Sequence, residues 1–545
     1  MQLPAEFRHW IGKTMRLVYD GKTRSDTSRR RKRRRGVKMA QANEGLLMKF
    51  VNWIERVGNK LPHMFWIFLG LWLLVILLSA VFAGVSAVDP AKGEEIKVIS
   101  LLNRQGLYWI LTNIVSNFAK FPPLGLVLVM MMAAGFAERA GFIPALMKTL
   151  TKVPEKYLIP AIFIVGICGN LASDAALVII PPLSAALFYS RRKDPIFGLI
   201  LGYVATASGF TANLFIAGTD VLLSGITDAA VKIVDPNYNV YPTANYYFMV
   251  ASTFVITIVG TIFTVKYAMP RFARWDEEYE HAQVPPEYLT PLTDKEMSAL
   301  KKAILAAGGY FLLMFLLTII PNGPLRDPTK NTIVPSTFLS GMVPILFLFF
   351  VIGGYVYGKE AGTVKRPTDM VNYMVESMKT MASYIVIILP IANFIYTFTY
   401  TNMASVLAIK LANSLKSAGF TGIGLFIAII LVSTFINLFI TSGSTKWAFL
   451  APVIVPMMYY LGYSPEWAQV LYRIGDSSTN SFTPLMSYFP VIIGYASMYK
   501  KDVGIGTIIS RTFLYSLLFL VTWIVLMVVW YLLGLPLGPG APIKL

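Results

Sequence analysis

The chain has 545 residues, of which 55% are hydrophobic and 14% charged, a balance that excludes a soluble domain or a disordered chain and marks a polytopic membrane protein. The formal charge of +19 is unevenly placed: residues 1–38 hold 13 Lys/Arg and 3 Asp/Glu, which is +10, and leave +9 for the rest. With one cysteine, Cys168, the composition also excludes internal disulfides and a cysteine metal cluster.

In chain order, the N-terminal arm carries Arg29-Arg-Arg-Lys-Arg-Arg-Arg35. It reads as attraction to anionic headgroups, or as a solvated arm that holds the N-terminus in the cytoplasm. A third reading starts the chain at Met39, with the amphipathic segment Leu46–Val57 leading into the first span. No folded module accompanies the arm, which argues against nucleic-acid binding. The first apolar run is full length, so no cleavable signal peptide is visible. Span 1 covers about Met64–Val85, and an amphipathic stretch, Leu101–Phe118, precedes span 2 at about Leu124–Leu146. Then come two apolar runs, Tyr157–Cys168 and Ala175–Phe188, each shorter than the roughly 20 residues a spanning helix needs. Gly169-Asn-Leu-Ala-Ser-Asp-Ala-Ala-Leu177 joins them, and the pair reads as a re-entrant hairpin. Such backbone is tolerated at membrane depth only where protein or a water-filled cavity surrounds it. Span 3, about Ile196–Ile226, is long and interrupted. Span 4 is about Tyr246–Tyr267, span 5 about Ala303–Ile320, span 6 about Phe338–Tyr357 and span 7 about Ser383–Leu411. A second hairpin follows, with Gly424–Ile440 and Trp447–Leu461 flanking the tip Thr441-Ser-Gly-Ser-Thr-Lys446. Span 8, about Trp467–Tyr495, and span 9, about Ile509–Leu533, close the chain.

This predicts an all-α polytopic membrane protein with about nine transmembrane helices plus two re-entrant hairpins in an inverted repeat. The loops after spans 2, 4, 6 and 8 are the Lys/Arg-rich ones, which places the N-terminus in the cytoplasm and the C-terminus outside. The first hairpin then enters from the cytoplasm and the second from outside. Spans 2–4 with the first hairpin, and spans 7–9 with the second, share the order span, hairpin, broken span, span, a plan used by many secondary transporters. The regions are a basic arm and lead-in (1–60), a first membrane half (61–270) with its hairpin at about 155–190, and a cytoplasmic connection (271–302). Spans 5 and 6 with their loop follow (303–382), then the second half (383–545) with its hairpin at about 421–461.

Intramembrane ionisable groups are costly and usually functional. Here they are Glu138 and Arg139 near the inner end of span 2, Asp174, Asp220, Lys446, Arg473 and Asp476. Arg473 and Asp476 are three apart, so they share a helix face and are expected to pair. Asp174 and Lys446 sit at the two hairpin tips. Span 3 holds Thr206-Ala-Ser-Gly-Phe-Thr-Ala-Asn213 and span 8 holds Arg473-Ile-Gly-Asp-Ser-Ser-Thr-Asn-Ser-Phe-Thr-Pro484. Both are polar interruptions whose freed carbonyls suit Na⁺ and whose half-helix N-termini suit a carboxylate. Trp447 reads equally as a stacking platform or as a core aromatic. The histidines (His9, His63, His281) lie outside the spans, so a proton relay falls to carboxylates: Asp174 as the titrating group, with Asp476 orienting Arg473. Asn170, Asn213 and Asn480 are the Na⁺ alternative. No metal other than Na⁺ and no cofactor is expected.

Asn170-Leu-Ala-Ser-Asp-Ala, Ser442-Gly-Ser-Thr-Lys-Trp447 and Tyr472-Arg-Ile-Gly-Asp-Ser-Ser-Thr-Asn480 with Thr483-Pro484 resemble the AbgT family of p-aminobenzoyl-glutamate transporters and sulfonamide exporters. The resemblance runs from Met39 onward. It implies a homodimer in a bacterial inner membrane, each protomer with its own pathway for a small aromatic anion. It places the functional positions on Asp174, Ser444, Trp447, Pro465, Arg473, Asp476 and Pro484, with a proton or sodium gradient as the driving force. The alternatives are a sodium-coupled dicarboxylate carrier of similar architecture, an integral-membrane enzyme, for which a metal or nucleophile set is missing, and a channel.

Overall fold

The computed structural model describes residues 46–90, 93–172, 175–282, 284, 290–501 and 503–545. The basic arm therefore lies outside the described residues, and so do Ser173 and Asp174. The chain divides into Met1–Trp53 and Ile54–Leu545. The first unit is described only through the start of an amphipathic helix, α1 (Leu46–Gly58). The second unit holds all the remaining elements.

Among the described residues the fold is all-α apart from a two-stranded antiparallel ribbon, β1 (Ser86–Val88) and β2 (Glu95–Lys97), in the loop after α2 (Met64–Val81). Among the described residues, seven helical stretches are long and apolar enough to cross a membrane. They are α2; α3 (Arg104–Ala119) running almost directly into α4 (Pro122–Arg139); α10 (Tyr246–Phe263) with its extension to Phe272; α11 (Asp294–Ile319); α12 (Met342–Ala361); α14 (Ala382–Tyr400); and α20 (Ile505–Leu533). Only 17% of the apolar windows of α2 and α11 is buried, and side chains such as Leu305, Leu312 and Leu77 are more than half exposed. Such apolar surface is stable against lipid rather than water.

Eight further helices come as four broken pairs among the described residues. The segment expected as the first hairpin holds α6 (Leu158–Gly169), a 3₁₀ turn over Asn170–Ala172, and α7 (Ala175–Tyr189). The second is α16 (Ile423–Asn437) and α17 (Gly443–Tyr460). Span 3 is α8 (Pro195–Ala207) and α9 (Gly218–Val231), with non-helical backbone between them. Span 8 is α18 (Pro465–Ser478) and α19 (Phe489–Tyr499).

Local chemistry sets these ends. Asp194 caps α8 by accepting from the N–H groups of Ile196 and Phe197, with Pro195 at the first helical position. Ser464 and Pro465 do the same for α18. Close approach by glycine joins each hairpin to its broken span. A Cβ on Gly166 would sit 2.6 Å from Ala205 Cβ in α8, and one on Gly475 would sit 2.5 Å from Ile430 O in α16.

Several expected boundaries shift, span 5 among them, whose helix starts at Asp294 rather than Ala303. Span 2 ends at Arg139, because Gly141 turns left-handed (φ +95°) and starts α5 (Phe142–Lys148). Span 7 breaks at Asn402 (φ +60°) into α14 and α15 (Met403–Ser417). An amphipathic helix, α13 (Pro367–Thr380), precedes α14 where only a loop was expected.

Candidate functional site

The two broken spans meet at their breaks. Ser208 Oγ lies 2.7 Å from Ser481 Oγ, the Thr211 N–H donates to Ser477 Oγ at 3.1 Å, and Thr211 Oγ1 donates to Arg473 O at 3.1 Å. Each hairpin tip holds the break of its neighbouring span. Asn170 Nδ2 donates to Thr206 O at 3.1 Å. In the second set Asn437 Nδ2 donates to Asp476 O at 2.6 Å, and Thr483 Oγ1 to Leu438 O at 2.9 Å. These hydrogen bonds satisfy backbone carbonyls at the helix breaks inside the protein.

Two buried ion pairs sit at this crossing, and neither is the expected Arg473–Asp476 pair. Arg473 Nη2 binds Asp220 Oδ1 at 2.5 Å and donates to Thr211 O at 3.0 Å. Asp220 Oδ2 accepts the Ala217 N–H at 2.7 Å, so the same carboxylate closes the first turn of α9. Asp476 binds Lys446 from the second hairpin tip, and Lys446 also donates to Asn437 Oδ1. Although Arg473 and Asp476 share a helix, each finds a nearer counter-charge on another element. Asp220 and Asp476 are both 1% exposed, Lys446 0% and Arg473 5%. Burial of this kind is tolerated only with charge balance, and breaking either pair leaves an uncompensated ion.

Trp447 is fully buried, stacked on Tyr472 with ring centroids 4.6 Å apart, and donates its indole N–H to Thr227 Oγ1 at 2.8 Å. Thr227 passes the bond to Gln469 at 2.5 Å, and Gln469 to Asn245 at 2.8 Å. Trp447 is thus a strut that ties the second hairpin to α9 and α18. Tyr472 in turn donates to Gly443 O and reaches Asp476 Oδ1 at 3.3 Å.

A cavity of about 400 Å³ opens beside this network. Phe210, Met131, Tyr384 and Ile388 supply apolar and aromatic walls, while Ser442–Thr445 and Asn480 supply the polar side. Ser444 lies on this wall and faces Ser442, which caps α17. Gly218 and Thr219 line it immediately ahead of Asp220. Trp447, Arg473 and Asp476 do not line it, so they stand behind its wall. Pro465 is buried at the start of α18, and Pro484 is half-buried in the break between α18 and α19. Asp174 lies outside the described residues. Of the three asparagines expected to share an ion, Asn480 joins the Asn437 network at 2.8 Å, Asn170 binds α8, and Asn213 Oδ1 takes the Phe215 N–H at 3.1 Å. Asn170 Oδ1 and Asn213 Nδ2 are buried with no hydrogen-bond partner among the described residues.

Asp220 carries more of the site than its sequence suggests. In the sequence it is one of several intramembrane carboxylates, and its signal is local: Ala217 to Asp220 has the spacing of a helix start in the middle of an apolar run. Tyr384 carries no signal, because an aromatic within an apolar run reads as core, whereas Phe210 sits inside the polar interruption Thr206–Asn213, whose position marks it.

The AbgT putative transporter family matches residues 49–545. The p-aminobenzoyl-glutamate transport protein of Escherichia coli K12 is 39% identical over 495 residues, covering 90% of this chain and 96% of that protein. Two solved structures are similar. One is MtrF of Neisseria gonorrhoeae, described as illuminating a class of antimetabolite efflux pumps, at 41% identity and a TM-score of 0.85 over 90% of this chain and 100% of that one. The other is the YdaH transporter of Alcanivorax borkumensis, described as having an unusual topology, at 35% identity and a TM-score of 0.82 over 88% and 100%. The chain is a multi-pass membrane protein of the AbgT putative transporter family.

Proposed function

We propose that this protein is a secondary active transporter of small aromatic anions of the p-aminobenzoyl-glutamate type, and of sulfonamide-like antimetabolites that share the aromatic ring. The observation that carries this reading is the cavity: apolar and aromatic on one side, hydroxyl-lined at the second hairpin tip, and backed by Asp220–Arg473. Its volume falls in the range of small-molecule sites, roughly 300–1,000 Å³. The ring occupies the Phe210–Tyr384 side. The solute's carboxylate meets the Ser442–Thr445 tip and competes with Asp220 for Arg473.

Charge balance then supplies the coupling. An anion that takes over Arg473 leaves Asp220 buried without its cation, and the low-cost resolution is a proton on Asp220. One anion and one proton thus occupy the site together. This assigns the coupling to Asp220 in place of Asp174. Asp476 serves Lys446 and the hairpin tip rather than orienting Arg473. A sodium-coupled reading draws on Asn170 Oδ1, a buried acceptor without a hydrogen-bond partner among the described residues.

The protein works as a homodimer in a bacterial inner membrane, with its N-terminus cytoplasmic, its C-terminus outside and two re-entrant hairpins. Counterflow in proteoliposomes with labelled p-aminobenzoyl-glutamate, Na⁺ and pH gradients being imposed separately, tests the function. Stimulation by internal unlabelled solute and accumulation under a pH gradient alone support it. Loss of counterflow overturns the solute class, and a strict Na⁺ requirement overturns the proton assignment.

A further inference from the structure

Away from the central site, a second cavity of about 500 Å³ opens where α8, α10, α19 and α20 end in Lys/Arg-rich connections. Arg271, Arg274, Lys500 and Arg511 line it, against the carboxylates of Asp194 and Asp276. Those carboxylates are already engaged. Asp194 Oδ1 accepts from the N–H groups of Ile196 at 2.9 Å and Phe197 at 3.1 Å and from the Tyr279 hydroxyl at 3.0 Å. Asp276 binds Lys500, whose hydrogen bond holds that carboxyl below its ordinary range.

The cations are less well served. Arg511 Nη1 is buried without a hydrogen-bond partner among the described residues, and its carboxylate contact, Asp194 Oδ2, is 3.8 Å away. Arg271 lies over the Tyr267 ring at 3.8 Å and spends a hydrogen bond on that residue's carbonyl. Among the described residues, neither Arg271 nor Arg274 forms an ion pair with a carboxylate. The N-terminus of α20 adds to this charge. Gly504 gives it no side-chain cap and its first turn has no acidic residue, while Val503 and Thr507 beside that turn line the cavity. An uncapped helix start and three guanidinium groups are the elements of a phosphate cradle. A buried guanidinium nitrogen with no acceptor calls for one.

We propose that this cavity is a phosphate-binding site, filled by the headgroup of an anionic phospholipid. The apolar runs of α10 and α20 give way to charged sequence at this level, which places the cavity among the headgroups, and basic pockets between spanning helices suit such lipids. The site is separate from the solute cavity and does not depend on the identity of the solute.

The test uses the full chain, delipidated in a neutral detergent. Its thermal melting is followed during titration with dioleoylphosphatidylglycerol, dioleoylphosphatidylcholine or inorganic phosphate. Arg271 and Arg274 are both exposed, so R271Q/R274Q keeps the fold, and R271K/R274K keeps the charge. The wild type should be stabilised by phosphatidylglycerol at roughly twenty-five-fold lower concentration than R271Q/R274Q, at about a factor of five per basic group. The lysine variant should fall between them, because it loses the planar fork but not the charge. Inorganic phosphate that matches the lipid in full would overturn the lipid as source. An equal response of the wild type and R271Q/R274Q, or an equal response to phosphatidylcholine, would overturn the site.

Discussion

Replacing Asp220 by asparagine removes one charge and little else, which makes it the sharpest perturbation of the site. The amide oxygen of asparagine can still accept the Ala217 N–H that Asp220 Oδ2 takes at 2.7 Å, so α9 keeps its first turn. What is lost is the 2.5 Å contact with Arg473. Arg473, only 5% exposed, retains the Thr211 carbonyl at 3.0 Å but has no counter-charge. Leaving such an ion behind costs about 3–5 kcal/mol. Arg473→Gln should cost a similar amount from the other side. The double variant removes both charges, so the two costs should fail to add by roughly 1–3 kcal/mol. Lys446–Asp476 has its own partners and should be untouched. Reversible unfolding in mixed micelles, followed by tryptophan fluorescence, measures all three variants. An Asp220→Asn protein within about 0.5 kcal/mol of wild type, the usual range for a surface change, would show that Arg473 does not depend on Asp220 for its counter-charge. So would strict additivity in the double variant.

Trp447→Phe preserves the stack on Tyr472 but loses the bond to Thr227, and should cost about 1–2 kcal/mol. Trp447→Ala should cost about 3–5 kcal/mol in the same unfolding assay; equal stability of the two variants would remove its role as a strut. Gly475→Ala places a methyl 2.5 Å from Ile430 O and should destabilise by about 1–3 kcal/mol as α18 is pushed off α16. Phe210→Ala should weaken equilibrium binding of p-aminobenzoyl-glutamate by roughly tenfold, about 1.4 kcal/mol of aromatic contact, with little change in melting temperature. Binding unchanged by Phe210→Ala would move the ring out of the cavity.

Hydrophobic run length and tip composition made the helix content and the places of the four breaks readable from the sequence. Tyr157–Cys168 is too short to span, and Thr206–Asn213 is too polar to continue a lipid-facing helix. The turn at Asn402 escaped, because the threonines before it (Thr397, Thr399, Thr401) are tolerated inside an apolar helix and a single left-handed residue after them is a weak signal. The ion pairing escaped for a different reason. Spacing along a helix says which residues share a face, and that put Arg473 with Asp476. The choice of partner is tertiary: Asp220 lies 253 positions from Arg473, and Lys446 reaches Asp476 from the hairpin tip. Trp447 reads equally as a platform or as a core aromatic in the sequence, because the residues that decide it, Tyr472 and Thr227, come from two other helices.

The claim that an anion displaces Asp220 from Arg473, and a proton replaces the lost cation, can be read as a number. Calorimetric titration of purified protein with p-aminobenzoyl-glutamate, repeated in buffers of different ionisation enthalpy, counts the protons taken up on binding. The wild type should take up about one proton per solute, the charge-balance value for one exchanged ion pair. Asp220→Asn should take up none. Zero uptake by the wild type, or the same uptake by both proteins, would contradict that exchange.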